Sequence, residues 1–90
     1  MCFVLSLVGC AVSKTKLSDD GEKVKIISFP GKNCNVIDKV VGINEKGIEQ
    51  LAHNHARNLA AKLDGNAIVI ETVSNGNMIK ANGTVYDCRD

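Results

Sequence analysis

Ninety residues, 44% of them apolar, with 11 Lys and Arg against 10 Asp and Glu, describe one small domain of formal charge +1. The near balance of charge leaves no broad basic footprint for nucleic acid, and Phe3, Phe29 and Tyr86 as the only aromatic residues leave no stacking platform for single strands. No apolar run reaches the ~18 residues that a membrane-spanning helix requires, and a chain of this size buries only about 60% of its unfolded surface, so cross-links would add to its stability.

The first ten residues, MCFVLSLVGC, carry no charge. Phe3-Val4-Leu5-Ser6-Leu7-Val8-Gly9 is apolar and ends on a small residue, and the composition changes abruptly after Cys10, to Ser13-Lys14-Thr15-Lys16-Leu17-Ser18-Asp19-Asp20-Gly21-Glu22. An apolar segment that ends in small residues and gives way to polar sequence reads as a cleaved secretory signal. Leu7-Val8-Gly9-Cys10 resembles the bacterial lipobox, in which a peptidase cuts before the cysteine and the thiol carries a diacylglycerol. Small residues precede the cut because the chain must lie extended in a tight groove, and a thiol is the nucleophile that forms the thioether.

The resemblance implies a signal peptide over 1–9, lacking the Lys or Arg usual at its start and so truncated, then an acylated Cys10 and a polar linker over 10–22, then a domain over 23–90. Ala11, rather than Asp, after the cysteine implies sorting to the outer membrane. The competing reading is a buried N-terminal strand with Cys10 as a small hydrophobe. Extended, a linker of about 12 residues reaches at most about 40 Å.

Within the domain, the β-branched run over 23–29, between Asp20-Gly21 and Pro30-Gly31, predicts a first strand. Cys34 to Val41 predicts a second, ended by Gly42. Ile48, Leu51, Ala52, His55, Ala56, Leu59, Ala60 and Leu63 then recur at helical spacing and make one apolar stripe. Asn44 is the expected N-cap, Glu45 and Glu49 fall near the positive end of the helix dipole, and Gly65 stands where a C-terminal glycine belongs. A third strand over 67–73 reads as central to the sheet, Ser74-Asn75-Gly76-Asn77 supplies a turn, Asn82-Gly83 offers another, and 84–88 closes the chain as a short strand. The fold class is α+β, in the order β-β-α-β-β: one small mixed sheet packed against a single amphipathic helix.

This topology bears on the cysteines. A crossover through the helix makes strand three parallel to strand two, and strand four returns antiparallel. The start of strand two (Cys34) and the end of strand four (Cys88) then meet at one edge of the sheet, which in an exported domain makes them a disulfide candidate.

Leu7-Val8-Gly9-Cys10, Cys34, the stretch Ala56-Arg57-Asn58-Leu59-Ala60-Ala61-Lys62-Leu63-Asp64-Gly65-Asn66-Ala67-Ile68-Val69 and the ending Tyr86-Asp87-Cys88 together resemble the small outer-membrane lipoproteins related to RcsF, the envelope-stress sensor of enterobacteria. The resemblance spans roughly residues 10 to 90 and implies acylation of Cys10 and a Cys34–Cys88 bridge.

Other chemistry is weakly signalled. His53 and His55 stand at i and i+2, which point about 200° apart on a helix, so they are not expected to share a metal ion; His55 is expected to pack in the stripe and His53 to be solvated. A thiol enzyme would need a low-pKa cysteine, commonly in a Cys-x-x-Cys pair, and Cys34 lacks such a neighbour. Asp19-Asp20 and Asp87-x-x-Asp90 read as solvated charges, and the sequon Asn82-Gly83-Thr84 as a hairpin turn. The expectation is therefore no catalytic residue, cofactor, metal, nucleic acid or evident small-molecule substrate. What remains is a lipid anchor at Cys10, a periplasmic domain closed by Cys34 and Cys88, and a non-enzymatic role toward envelope proteins or cell wall, in the manner of stress sensing. The alternative is a small periplasmic thiol-redox or metal-handling protein.

Overall fold

The computed structural model describes residues 16–89. Strand β1 (Lys25–Ile26) follows a short 3-10 turn at Gly21–Lys23; β2 (Cys34–Asn44), helix α1 (Glu49–Lys62), β3 (Ala67–Asn75) and β4 (Met78–Cys88) complete the chain. The four strands form one sheet in the order β1-β3-β4-β2. β4 pairs antiparallel with both β2 and β3, and β1 runs parallel to β3. The small mixed α+β fold read from the sequence is thus observed, with β3 and β4 as its inner strands.

The helix lies on one face of the sheet, and small residues set its distance. Ala52, Ala56 and Ala60 are fully buried along its sheet-facing line, against Val24, Ile68, Ala81 and Val85. Gly42, on β2, lies directly beneath: a Cβ there would overlap the Ala52 carbonyl and the Ala56 backbone nitrogen. The wider stripe is narrowed accordingly. Leu51, His55 and Leu59 are half-buried, whereas Ile48 and Leu63, beyond the two helix ends, are exposed.

Several boundaries differ from the sequence expectations for identifiable reasons. Gly42 does not end β2, which runs on to Asn44 because its pairing with β4 continues to Ile79. Asn44 consequently does not cap the helix. Its Oδ1 accepts the Lys46 and Ile48 backbone N–H groups at 3.0 and 2.9 Å and so caps the connecting turn, where Gly47 (φ 77°) breaks any helical run. Helix α1 starts at Glu49, after Ile48, leaving Glu45 outside it. At the other end Asp64, not Gly65, is the left-handed residue (φ 62°). Gly65 and Asp64 donate their backbone N–H groups to the Ala60 and Ala61 carbonyls, both at 3.0 Å, in a Schellman motif. A glycine is needed at 65 for another reason, since a Cβ would run into the Val85 side chain.

The first strand contracts to two residues, because the chain turns at Gly21–Lys23 to bury Val24 and pairs with β3 only opposite Ala67 and Ile68. Asn82 and Gly83 form no turn. They lie in the middle of β4, paired with both neighbours, and the absence of a side chain at Gly83 makes room for Ile68. The tight turn is Gly76-Asn77, joining the paired residues Asn75 and Met78, with φ 65° at the glycine.

Part of the polar stretch expected to be linker belongs to the folded unit. Asn58 donates from Nδ2 to the Lys16 carbonyl at 2.8 Å, and its Oδ1 accepts the Ser18 backbone N–H at 2.8 Å and the Ser18 hydroxyl at 3.0 Å. Arg57 donates to the carbonyls of Val24 (3.0 Å) and Glu22 (3.1 Å). Two consecutive helix residues thereby hold residues 16–24 against α1.

Candidate functional site: the disulfide-closed end of the sheet

Cys34 is the first residue of β2 and Cys88 the last of β4; the antiparallel pairing sets them opposite one another, and their sulfurs are bonded. The parallel run of β2 and β3 on either side of β4 produces this meeting, as the sequence topology implies. Hydrogen bonds fix the same end. The Cys88 backbone N–H donates to Asn66 Oδ1 and Asn66 Nδ2 donates back to the Cys88 carbonyl, both at 2.8 Å, so one amide side chain stands in for a strand partner. The Arg89 N–H donates to the Asn33 carbonyl at 2.9 Å, and the Arg89 guanidinium reaches Asp87 at 2.9 Å. Asn66 follows the helix-ending Asp64-Gly65 turn directly, a place where a polar side chain reads as ordinary turn chemistry; the sequence holds no cue that it reaches Cys88.

Beside the disulfide lies a cleft of 350 Å³, lined by Lys23, Lys25, Ile27 and Phe29 as well as both cysteines. Phe29 is 75% exposed at its rim. No imidazole or carboxylate is among the described residues that line it. The two sulfurs are spent on each other, so the arrangement cross-links the domain and offers no thiolate at this end. A larger groove of 570 Å³ runs beside α1, between His55, Leu59 and Lys62 and the docked Ser18 and Asp20.

The two histidines point to opposite borders of the sheet. His53 Nε2 lies 2.9 Å from Thr72 Oγ1 on β3 and 3.6 Å from Glu49 Oε2, and the Thr72 hydroxyl donates to that carboxylate at 3.3 Å. Its side chain is 21% exposed, so His53 is not the solvated residue that the stripe implies. His55 Nδ1 accepts the backbone N–H of Ile43, on β2, at 3.0 Å. It is half-buried and caps a strand rather than packing in the core. The cause is the alanine line: with 52, 56 and 60 pressed on the sheet, positions 53 and 55 flank it on opposite sides. Among the described residues no group of three or more His, Cys, Asp or Glu side chains is placed to hold a metal ion.

The open face of the sheet, opposite α1, carries Val36, Val41 and Ile43 of β2, Tyr86 of β4, and Val69 and Val73 of β3, by the alternation of the paired strands. Val36, Val41, Ile43 and Val73 are 63%, 44%, 36% and 39% exposed. A half-covered antiparallel sheet ordinarily turns polar residues outward. This face is mixed, because the same register sets Lys80, Asn82 and Thr84 of β4 between those residues, with Lys39 of β2 and Glu71 of β3 beside them. Cys10, the expected lipidation site, lies outside the described residues. No family model, no curated protein and no solved structure matches the chain.

Proposed function

We propose that this protein is a bacterial outer-membrane lipoprotein, acylated at Cys10, whose domain acts in the periplasm by interaction with envelope proteins or cell wall and without catalysis, in the manner of the RcsF-related stress-sensing lipoproteins. The observation that carries this reading is the Leu7-Val8-Gly9-Cys10 run standing ahead of a disulfide-closed domain. A structural disulfide belongs to an oxidising compartment, and a lipobox is an export signal that ends on a cysteine.

The docked N-terminal segment sharpens the expected geometry. With Lys16 and Ser18 held on Asn58, only residues 11–15 separate Cys10 from the domain. Fully extended, that is a reach of at most about 20 Å, half of what the composition allows. The domain would work close to the membrane surface, and a partner would be met there.

The test is acylation of the full-length chain in a Gram-negative host. It should partition into detergent and incorporate labelled palmitate, and Cys10→Ser should abolish both. A Cys10→Ser protein that still carries label and fractionates with membranes would refute the reading. Two or more acyl chains are expected, because one gives only marginal, reversible anchoring.

A further inference from the structure

The chain leaves β1 at Ile26 and returns to the disulfide end at Cys34, on the far side of β3 and β4. Residues 27–33 make that crossing past the open face. Ala67, which its pairing with Lys25 and Tyr86 places on that face, is buried, and it lines the cleft beside the disulfide together with Lys23, Lys25, Ile27, Phe29 and Gly31. The crossing itself is exposed throughout 28–33, and Phe29 and Pro30 are the apolar residues it turns to solvent.

Around that ring the charge is of one sign. From Lys23 to Ile37 the sequence holds three lysines, at 23, 25 and 32, and no acid, in a chain whose formal charge is +1. Lys23 meets Asp20 at 3.9 Å with both side chains 81% exposed, a contact worth little in water, and Asp87 is paired with Arg89. An exposed phenylalanine among lysines suits a bilayer surface, where the ring enters the boundary of headgroups and acyl chains and the ammonium groups meet anionic phosphates. The tether favours the same occupant. Asn58, which holds Lys16 and Ser18, lies toward the C-terminal end of α1, and α1 ends where β3 begins, at the disulfide end. Acylation at Cys10 would thus tether the domain by this end, through residues 11–15.

We propose that residues 23–32 dock on an anionic phospholipid bilayer, Phe29 entering the headgroup boundary and Lys23, Lys25 and Lys32 meeting lipid phosphates. This docking rests on the acylation reading only for the nearness of the bilayer, and needs no acyl chain of its own. The protein has no Trp, so Phe29→Trp sets a single reporter at an exposed position outside the core. In the full chain carrying Cys10→Ser, that reporter should shift to the blue and be quenched by vesicles of brominated phosphatidylglycerol, but not of brominated phosphatidylcholine. Asn77→Trp, in the hairpin at the opposite end of the sheet, should be quenched by neither. Each lysine near an anionic surface contributes roughly fivefold to binding, so Lys23→Gln with Lys25→Gln should weaken the phosphatidylglycerol interaction roughly 25-fold. Equal quenching at positions 29 and 77, as adhesion through the apolar first ten residues would give, would overturn the proposal. So would quenching that phosphatidylcholine reproduces, quenching that the lysine substitutions leave unchanged, or none at all. Every arm carries Cys10→Ser, so failure of this docking and failure of palmitate labelling are read separately.

Discussion

Replacing Cys34 or Cys88 by serine removes the covalent bond between β2 and β4, and the structure allows the cost to be worked out. The bridge spans 54 positions, so in the chain-entropy model its loss returns about 4 kcal/mol of conformational freedom to the unfolded state. The native end should keep its geometry, because Asn66 still holds both backbone groups of Cys88 and Asn33 still accepts from Arg89. The scale is set by the core. Its fully buried side chains of any size are Ile68, Val24 and Val85, and the rest is alanine; each large one is worth about 1.5–3 kcal/mol by burial. One disulfide therefore matches about two of them. For a domain of this size a loss of about 4 kcal/mol lowers Tm by roughly 15–30 °C. Thermal unfolding followed by circular dichroism, on the oxidised chain, on Cys34→Ser, on Cys88→Ser and on the double variant, measures it. Both single variants should fall equally and the double variant no further. A drop below about 5 °C, under what 1–2 kcal/mol produces, would refute the entropic argument. Unequal single variants would show that one cysteine has a separate role, and free thiols at both positions after oxidative expression would return the thiol-redox alternative.

Two further substitutions probe the packing. Gly42→Ala places a Cβ against helix backbone at Ala52 and Ala56 that cannot swing aside; it should cost about 1–3 kcal/mol, read as a lowered denaturant midpoint, and an unchanged midpoint would show that the helix rides higher on β2. Asn58→Ala removes the anchor of Lys16 and Ser18 and should cost about 1–2 kcal/mol, with limited proteolysis newly cutting near residues 16–20; an unchanged cleavage pattern would mean that the Arg57 bonds alone dock this segment.

The sequence by itself determined the element types, their order and the cysteine pairing. These follow from local signals: β-branched runs, the change of period at Ile48, the break after Gly65, and the rule that a helical crossover sets two strands parallel. Only the tertiary structure decided what the polar and small residues do. Asn44 reads as a helix cap and Asn58 and Asn66 carry no signal of their own, yet they close a turn, dock the N-terminal segment and pin Cys88, because what an amide side chain binds depends on which backbone the fold brings within about 3 Å. Gly42, Gly65 and Gly83 read as breaks. Each is instead a point where another part of the chain approaches too closely for a Cβ, and that demand arises only once the helix lies on the sheet. The histidines follow the same logic: period places them on the helix, but the alanine line that touches the sheet sends His53 to β3 and His55 to β2.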